Sequence, residues 1–419
     1  MTRAPAPPVW PGVPVWASDP SLVERLARDW VAEHRTDARV AEARAHSVLY
    51  RGPHDLSMRV GVRLDGAAPA DELTLMVHGR SGELSVTELP DDPFLPTLAK
   101  VLEARTVAHL LQGAGLECSC GSAAPTCRAE VVHHPRDGAC VLRLHGGGCE
   151  AYAKVYPREE DASAAAEAAE AVYAVSGGRA VGPSGEVLRL PRVLWVSAAL
   201  RTTVLESVTS AGSAQVVTGC VGVAESARAL RVFHALPPAS RLRKVTASRH
   251  VDHVRREQAL VATAWPDVAE RVDGAVSDAA SVLAAFAPRG PEPVLCHGDF
   301  TPGQLVRVSE GLALLDLDTV ALGDPAADLG RYLAYEAARA ARLSRSPAVV
   351  GATREAALAA YGAPPENEEP GRLRARVSAY ERLNLALIAL RATRRLKAAR
   401  SRLALTLLDT IDPIPGRPT

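Results

Sequence analysis

The run His297-Gly298-Asp299-Phe300-Thr301-Pro302-Gly303-Gln304, followed by Leu314-Leu315-Asp316-Leu317-Asp318, sets a carboxylate, an amide and a second carboxylate close together. Phosphoryl transfer from a nucleoside triphosphate needs those three groups: one carboxylate to orient the acceptor hydroxyl, an amide oxygen on magnesium, and a carboxylate bridging metal to phosphates. Asp299, Gln304 and Asp316 supply them in that order. Such chemistry rests on positioning and charge neutralisation, so Asp299 need only hydrogen-bond the hydroxyl and take its proton late. His297 reads as a tie for the loop backbone. Asp318 falls on the same face as Asp316 if the strand continues, as a support for the ligands or a substrate contact. In Gly323-Asp324-Pro325-Ala326-Ala327-Asp328, both aspartates read as anchors of the next turn and helix, with Asp328 suited to the helix cap.

At roughly 5% usage per residue type, a His-Gly-Asp triplet has about a one-in-twenty chance in a chain of this length, and an Asn or Gln five residues on brings that well below about one in a hundred. The competing reading is a surface loop rich in Asp and Gly. The flanks favour chemistry. Pro293-Val294-Leu295-Cys296 enters as an apolar strand, and Leu305-Val306-Arg307-Val308 leaves as another. Gly311 then turns the chain into a strand that ends at Asp316, so both carboxylates can meet at one mouth.

This stretch resembles the catalytic and metal-binding loops of the aminoglycoside phosphotransferase and choline kinase-like superfamily, which includes bacterial maltokinases. The resemblance implies an α+β, bilobal protein-kinase-like fold, ATP and magnesium as cofactors, and a small-molecule hydroxyl as acceptor. Most members carry Asn where this chain has Gln304; Gln keeps the amide oxygen and adds a methylene. Maltokinase-like members tolerate Gln there and carry an amino-terminal cap, so an additional α+β cap domain is also implied.

The elements that must position these residues can be set out along the 419-residue chain. Residues 1–112 read as the cap, with a Pro-rich arm, a helix over 22–45, strands over 47–51, 57–64, 72–78 and 82–88, and a helix over 95–112. Residues 113–208 read as the kinase-like amino lobe. Its third strand, 150–156, carries Lys154, which fits the kinase lysine that contacts the α/β-phosphates and pairs with a helical glutamate; a solvated edge-strand lysine is the competing reading. Glu167 and Glu170, a turn apart on the following Ala-rich helix, are both candidates for that pairing, and the sequence does not choose. Pro135 to Gly138 is a poor phosphate loop with one glycine. Glu206 and Val208 end the last strand of the lobe, where the superfamily's hinge backbone binds adenine; an ordinary edge strand fits nearly as well. Residues 209–419 read as a mostly helical lobe, with His234 a packed or capping histidine and the basic stretch 391–402 a solvated helix face.

Composition narrows the classes. Hydrophobic residues make up 47% and aromatics only 4%, which implies a core of Ala, Val and Leu. A formal net charge of zero argues against nucleic acid held through a general phosphate field. No run approaches a membrane span of about 20 apolar residues. Seven cysteines without an export signal point to a reducing cytoplasm. Cys118, Cys120 and Cys127 with His133 and His134 match structural zinc spacing poorly. The expected activity is an ATP- and magnesium-dependent phosphotransferase acting on a sugar, amino sugar or aminoglycoside-type antibiotic. The alternative is a nucleotide-binding pseudokinase or regulatory protein. A cationic antibiotic calls for an acidic wall, and Glu366-Asn367-Glu368-Glu369 is the only such cluster after the catalytic loop. A protein kinase is disfavoured by the lack of an Ala-Pro-Glu element.

Overall fold

The computed structural model describes residues 19–411 apart from 53–54, 69–70, 81–82, 117–126, 136–137, 209–220, 287–291 and 363–369. The chain opens on helix α1 (Pro20–His34), which starts at Asp19, whose side chain accepts from the Ser21 N–H at 2.9 Å. Val23, Ala27 and Val31 form its buried stripe. The helix ends eleven residues short of the expected 22–45, because 40–45 joins strand β1 (Val40–Gly52) instead. Val40-Ala-Glu-Ala-Arg-Ala has good helix formers, but pairing along β2 (Asp55–Leu64) overrides that preference. β3 (Leu73–Arg80) and β4 (Glu83–Glu88) complete an antiparallel sheet in the order β1-β2-β3-β4. Leu56, Met58, Val60 and Val62 of β2 alternate into one core shared with α1 and the carboxy-terminal helices.

The second sheet has the order β10-β11-β7-β6-β5, from β5 (Arg128–His133), β6 (Cys140–Gly146), β7 (Cys149–Val155), β10 (Val193–Ser197) and β11 (Thr202–Glu206). Helix α2 (Ala104–Gly113) puts Val107, Leu110 and Leu111 into one core with Leu142, Leu144, Ala151, Ala153 and Val155. Period-two alternation therefore turns Lys154 to the opposite face, where helix α3 (Glu159–Ser176) lies. The buried face of α3 is mostly alanine, with Ala162, Ala165, Ala166 and Ala169, and small side chains let it lie close to the strands.

The carboxy-terminal part is helical: α4 (Val223–His234), α5 (Ala247–Ala262), α6 (Pro266–Phe286), α7 (Pro325–Arg342), α8 (Pro347–Tyr361), α9 (Pro370–Arg394) and α10 (Ala398–Thr410). α9 packs against α5, α6, α7 and α10. α9 and α10 are separated by a break at Leu396, whose φ of 52° is left-handed. Between α6 and α7 lie the strands of the motif region. β12 (Val294–Cys296) pairs with β15 (Ala321–Gly323), and the hairpin β13 (Leu305–Val308)–β14 (Gly311–Leu314) joins β9 (Val187–Arg189) and β8 (Arg179–Val181). Among the described residues, no helix is long and apolar enough to cross a membrane.

Candidate active site

His297-Gly298-Asp299 leaves β12 as a loop fixed from beneath. Asp328, buried on the first turn of α7, accepts from the His297 N–H at 2.6 Å and the Gly298 N–H at 2.9 Å. His234 Nε2 lies 3.1 Å from the same oxygen that takes the His297 N–H, while His234 Nδ1 takes the Tyr361 hydroxyl at 2.8 Å. Burial raises the Asp328 carboxyl, but the hydrogen bond and charge of His234 outweigh it, helped by His297 and the Gly298 N–H, and the net shift is downward. The helix cap is Asp324 and not Asp328: the Asp324 side chain accepts from the Ala326 N–H at 2.9 Å. Gly298 has φ 78°, and a Cβ there would stand 2.6 Å from the Thr319 carbonyl oxygen, so glycine is required on both counts.

His297 ties the two loops together. Its Nδ1 accepts from the Asp299 N–H at 3.2 Å, which leaves Nε2 to donate to the Leu315 carbonyl at 2.8 Å. The loop of Asp299 is thereby bonded to the residue just before Asp316. The strand ends at Leu314; Asp316 adopts φ 64° and a short 3₁₀ turn, Leu317–Thr319, follows. Asp318 thus reaches the site through a turn and not by continuing a strand.

Across the interlobe cleft, Lys154 Nζ donates to Asp316 Oδ1 at 2.5 Å and to Asp318 Oδ1 at 2.7 Å. Burial alone would lower the Lys154 pKa; the charges of Asp318 and Asp316 reverse that and raise it. Asp316 is raised by burial and lowered more strongly by Lys154, for a net fall. Gln304 Nε2 donates to Asp316 Oδ2 at 3.1 Å, and the Tyr156 hydroxyl donates to Asp318 Oδ2 at 2.9 Å. Lys154, Gln304, Asp316 and Asp318 are therefore brought together. Glu167 and Glu170 are not brought to Lys154: both are exposed on α3, whose inner face is the alanine stripe. Glu206 ends β11 with its carboxylate taken by Arg189 at 3.2 Å and the Arg192 N–H at 3.3 Å. Val208 is buried against Val308 and Ala313 of the hairpin.

Sequence reasoning missed several participants. Arg331, one turn past Asp328 on α7, forms an ion pair with Asp299 and donates to Asn384 Oδ1 at 3.2 Å. Asp299 opens onto a cleft of ≈ 690 Å³ between the catalytic loop, α5, α7 and α9. The acidic cluster at 366–369, the phosphate turn at 136–137 and Cys118 and Cys120 lie outside the described residues. Cys127 is buried in the α2 core, and His134 bonds Asp92 at 2.9 Å.

A two-lobed α+β architecture of this order, with a basic residue and paired carboxylates at the cleft, defines a small-molecule kinase. The family model described as the phosphotransferase enzyme family matches residues 137–378, more than half of the chain, and the chain belongs to that family. The chain is also similar to several solved structures. An ethanolamine kinase from Plasmodium vivax is 9% identical over 73% of this chain and 88% of its own, with a TM-score of 0.50. A choline/ethanolamine kinase family protein from Mesorhizobium loti is 17% identical over 73% and 92%, at 0.48. An aminoglycoside phosphotransferase from Streptomyces rimosus is 21% identical over 68% and 98%, at 0.43. No curated protein matches the chain.

Proposed function

We propose that the protein transfers the terminal phosphoryl group of ATP to a hydroxyl of a small polar molecule. The observation that carries this reading is the stitch across the cleft, in which Lys154 of the amino lobe meets Asp316 and Asp318 of the metal loop. A cation and two carboxylates at one mouth suit a triphosphate and its counter-ion.

The donor set fits magnesium. Asp316, Asp318 and the amide of Gln304 offer only oxygen once the Gln304 amide turns by half a revolution, and magnesium takes hard oxygen donors. When bound, the ion neutralises charge on the phosphates. Lys154 is placed to contact the phosphates, and the backbone past Glu206, with Val208, to contact adenine. Asp299 faces the acceptor cleft, where its carboxylate accepts the hydroxyl hydrogen bond. Arg331 holds Asp299 in one rotamer, so positioning precedes acceptor entry.

An assay of ADP release over sugars, amino sugars, sugar acids, sugar phosphates and antibiotics tests this. Acceptor-dependent release should fall by about 10³-fold in Asp299→Ala, a loss typical of a general acid–base group, with Mg·ATP binding retained. Asp316→Ala should lose Mg·ATP binding. Nucleotide binding without transfer to any acceptor, or equal turnover in Asp299→Ala, would overturn the proposal.

A further inference from the structure

The cleft in front of Asp299 has a wall rich in arginine. Arg243, Arg249, Arg256, Arg331 and Arg391 line it, with His250 and His253 between them. Each stands on an element whose backbone places it along this wall. Residues 243–245 bond along β15, with the Val245 N–H donating to the Leu322 carbonyl at 2.8 Å and the Leu322 N–H to the Arg243 carbonyl at 2.9 Å. Arg249, His253 and Arg256 follow one face of α5 at spacings of four and three. Arg391, expected on a solvated helix face, instead donates to His253 Nε2 at 3.0 Å.

Carboxylates also line this cleft, but most are already engaged. Asp324 pairs with Arg376 at 2.8 Å, Asp328 with His234 and two N–H groups, and Asp299 with Arg331. Asp252 remains, exposed at the rim. Among the described residues, Arg243, Arg249 and Arg256 have no ion-pair partner. The histidines do not supply the charge. Burial pushes His250 down to about 4, and burial with the Arg391 charge lowers His253, so both are neutral near pH 7. Fixed positive charge on this wall comes from guanidinium groups, whose planar forks suit carboxylate and phosphate.

We infer that the acceptor carries an anionic group, a carboxylate or phosphate, beside the hydroxyl that is phosphorylated, and that Arg249 and Arg256 with Arg243 bind it. The inference rests on the kinase reading of Asp299. An acceptor anion and a triphosphate repel each other at close range, and a wall of arginines on the acceptor side offsets that repulsion. The same wall disfavours a polycationic aminoglycoside.

Calorimetric titration of the full chain with glucuronate, glucose 6-phosphate, glucose, glucosamine and kanamycin tests the charge preference, with Mg·ATP titrated separately. Either anion should bind about tenfold or more tighter than glucose, as expected when charge-assisted hydrogen bonds are gained. Arg249→Gln/Arg256→Gln, which changes exposed helix positions, should remove that preference and leave Mg·ATP affinity unaltered. Tighter binding of glucosamine or kanamycin, an unchanged preference in the double variant, or no binding of either anion overturns the inference. Loss of Mg·ATP binding in the unaltered protein would instead overturn the kinase reading.

Discussion

Asp328 shows how much of the site hangs on one buried side chain. It takes two backbone N–H groups of the catalytic loop, and removing it leaves both without a partner in a water-poor position. Each orphaned donor costs about 1–3 kcal/mol, so Asp328→Ala should lose about 2–6 kcal/mol in urea unfolding at pH 7. Its pH dependence has a definite sign. The folded-state pKa lies below the unfolded value, so the stabilisation is present above the unfolded Asp value of about 3.9 and fades as pH falls through the lower folded one. The stability gap between the parent and Asp328→Asn should therefore be constant above about pH 5 and narrow below about pH 4; a gap that stays constant into acid would refute the assignment. Lys154→Ala, by contrast, leaves Asp316 and Asp318 facing each other, and should abolish measurable nucleotide binding with an intact circular dichroism spectrum. The nearness of the Asp299 loop, Gln304 and Asp316 could be read from the chain because their spacing is local. Arg331 could not, because only the docking of α7 under the loop brings it to Asp299.

At the scale of elements, the packing of α7 on α9 sets where Asp328 and Arg331 sit. Gly330 lies between them, and a Cβ there would meet Tyr380 Cβ at 2.6 Å, the Glu381 N at 2.7 Å and the Val377 carbonyl oxygen at 2.8 Å. Two of these three atoms are backbone, so α7 cannot accept even a methyl without moving off α9. Gly330→Ala should cost about 1–3 kcal/mol by overpacking, despite alanine's better helix propensity. It should also reduce turnover, since any shift of α7 carries Arg331 with it; a gain in stability would contradict this packing. The helical character of this lobe was legible, while α5 (Ala247–Ala262) and the helix ends were not. The run 40–45 has a helix-forming composition and is a strand, because β2 offers it a partner that no local signal announces. Asp318 illustrates the converse. Its side-chain period pointed to the right face for the wrong reason, since a 3₁₀ turn rather than a strand delivers it to Lys154.

For the molecule as a whole, the amino-terminal sheet and the helical lobe are built as one cooperative body. Tyr50 at the end of β1 is fully buried and sits edge-on to Trp265 at the start of α6, with ring centroids 5.0 Å apart. Arg394, at the end of α9, donates from Nε to the Tyr50 carbonyl at 2.8 Å and forms an ion pair with Glu257 on α5. The basic stretch that reads in sequence as a solvated face thus includes an arginine that is 8% exposed and joins three elements. Nothing in its spacing distinguishes it from its solvated neighbours, because its partners lie more than a hundred residues away. Truncating it uncouples a part-buried carboxylate and a backbone acceptor together. Arg391 stays within 4.0 Å of Glu257 and limits the damage, so Arg394→Ala should fall at the low end of the roughly 3–5 kcal/mol expected for a broken buried pair. The same core runs through both parts, so thermal unfolding should remain a single transition in the parent protein. In Arg394→Ala, limited proteolysis should cut first within the β1–β4 sheet, while the kinase lobes persist. Simultaneous cleavage of sheet and lobes would show that Arg394 is not the coupling point.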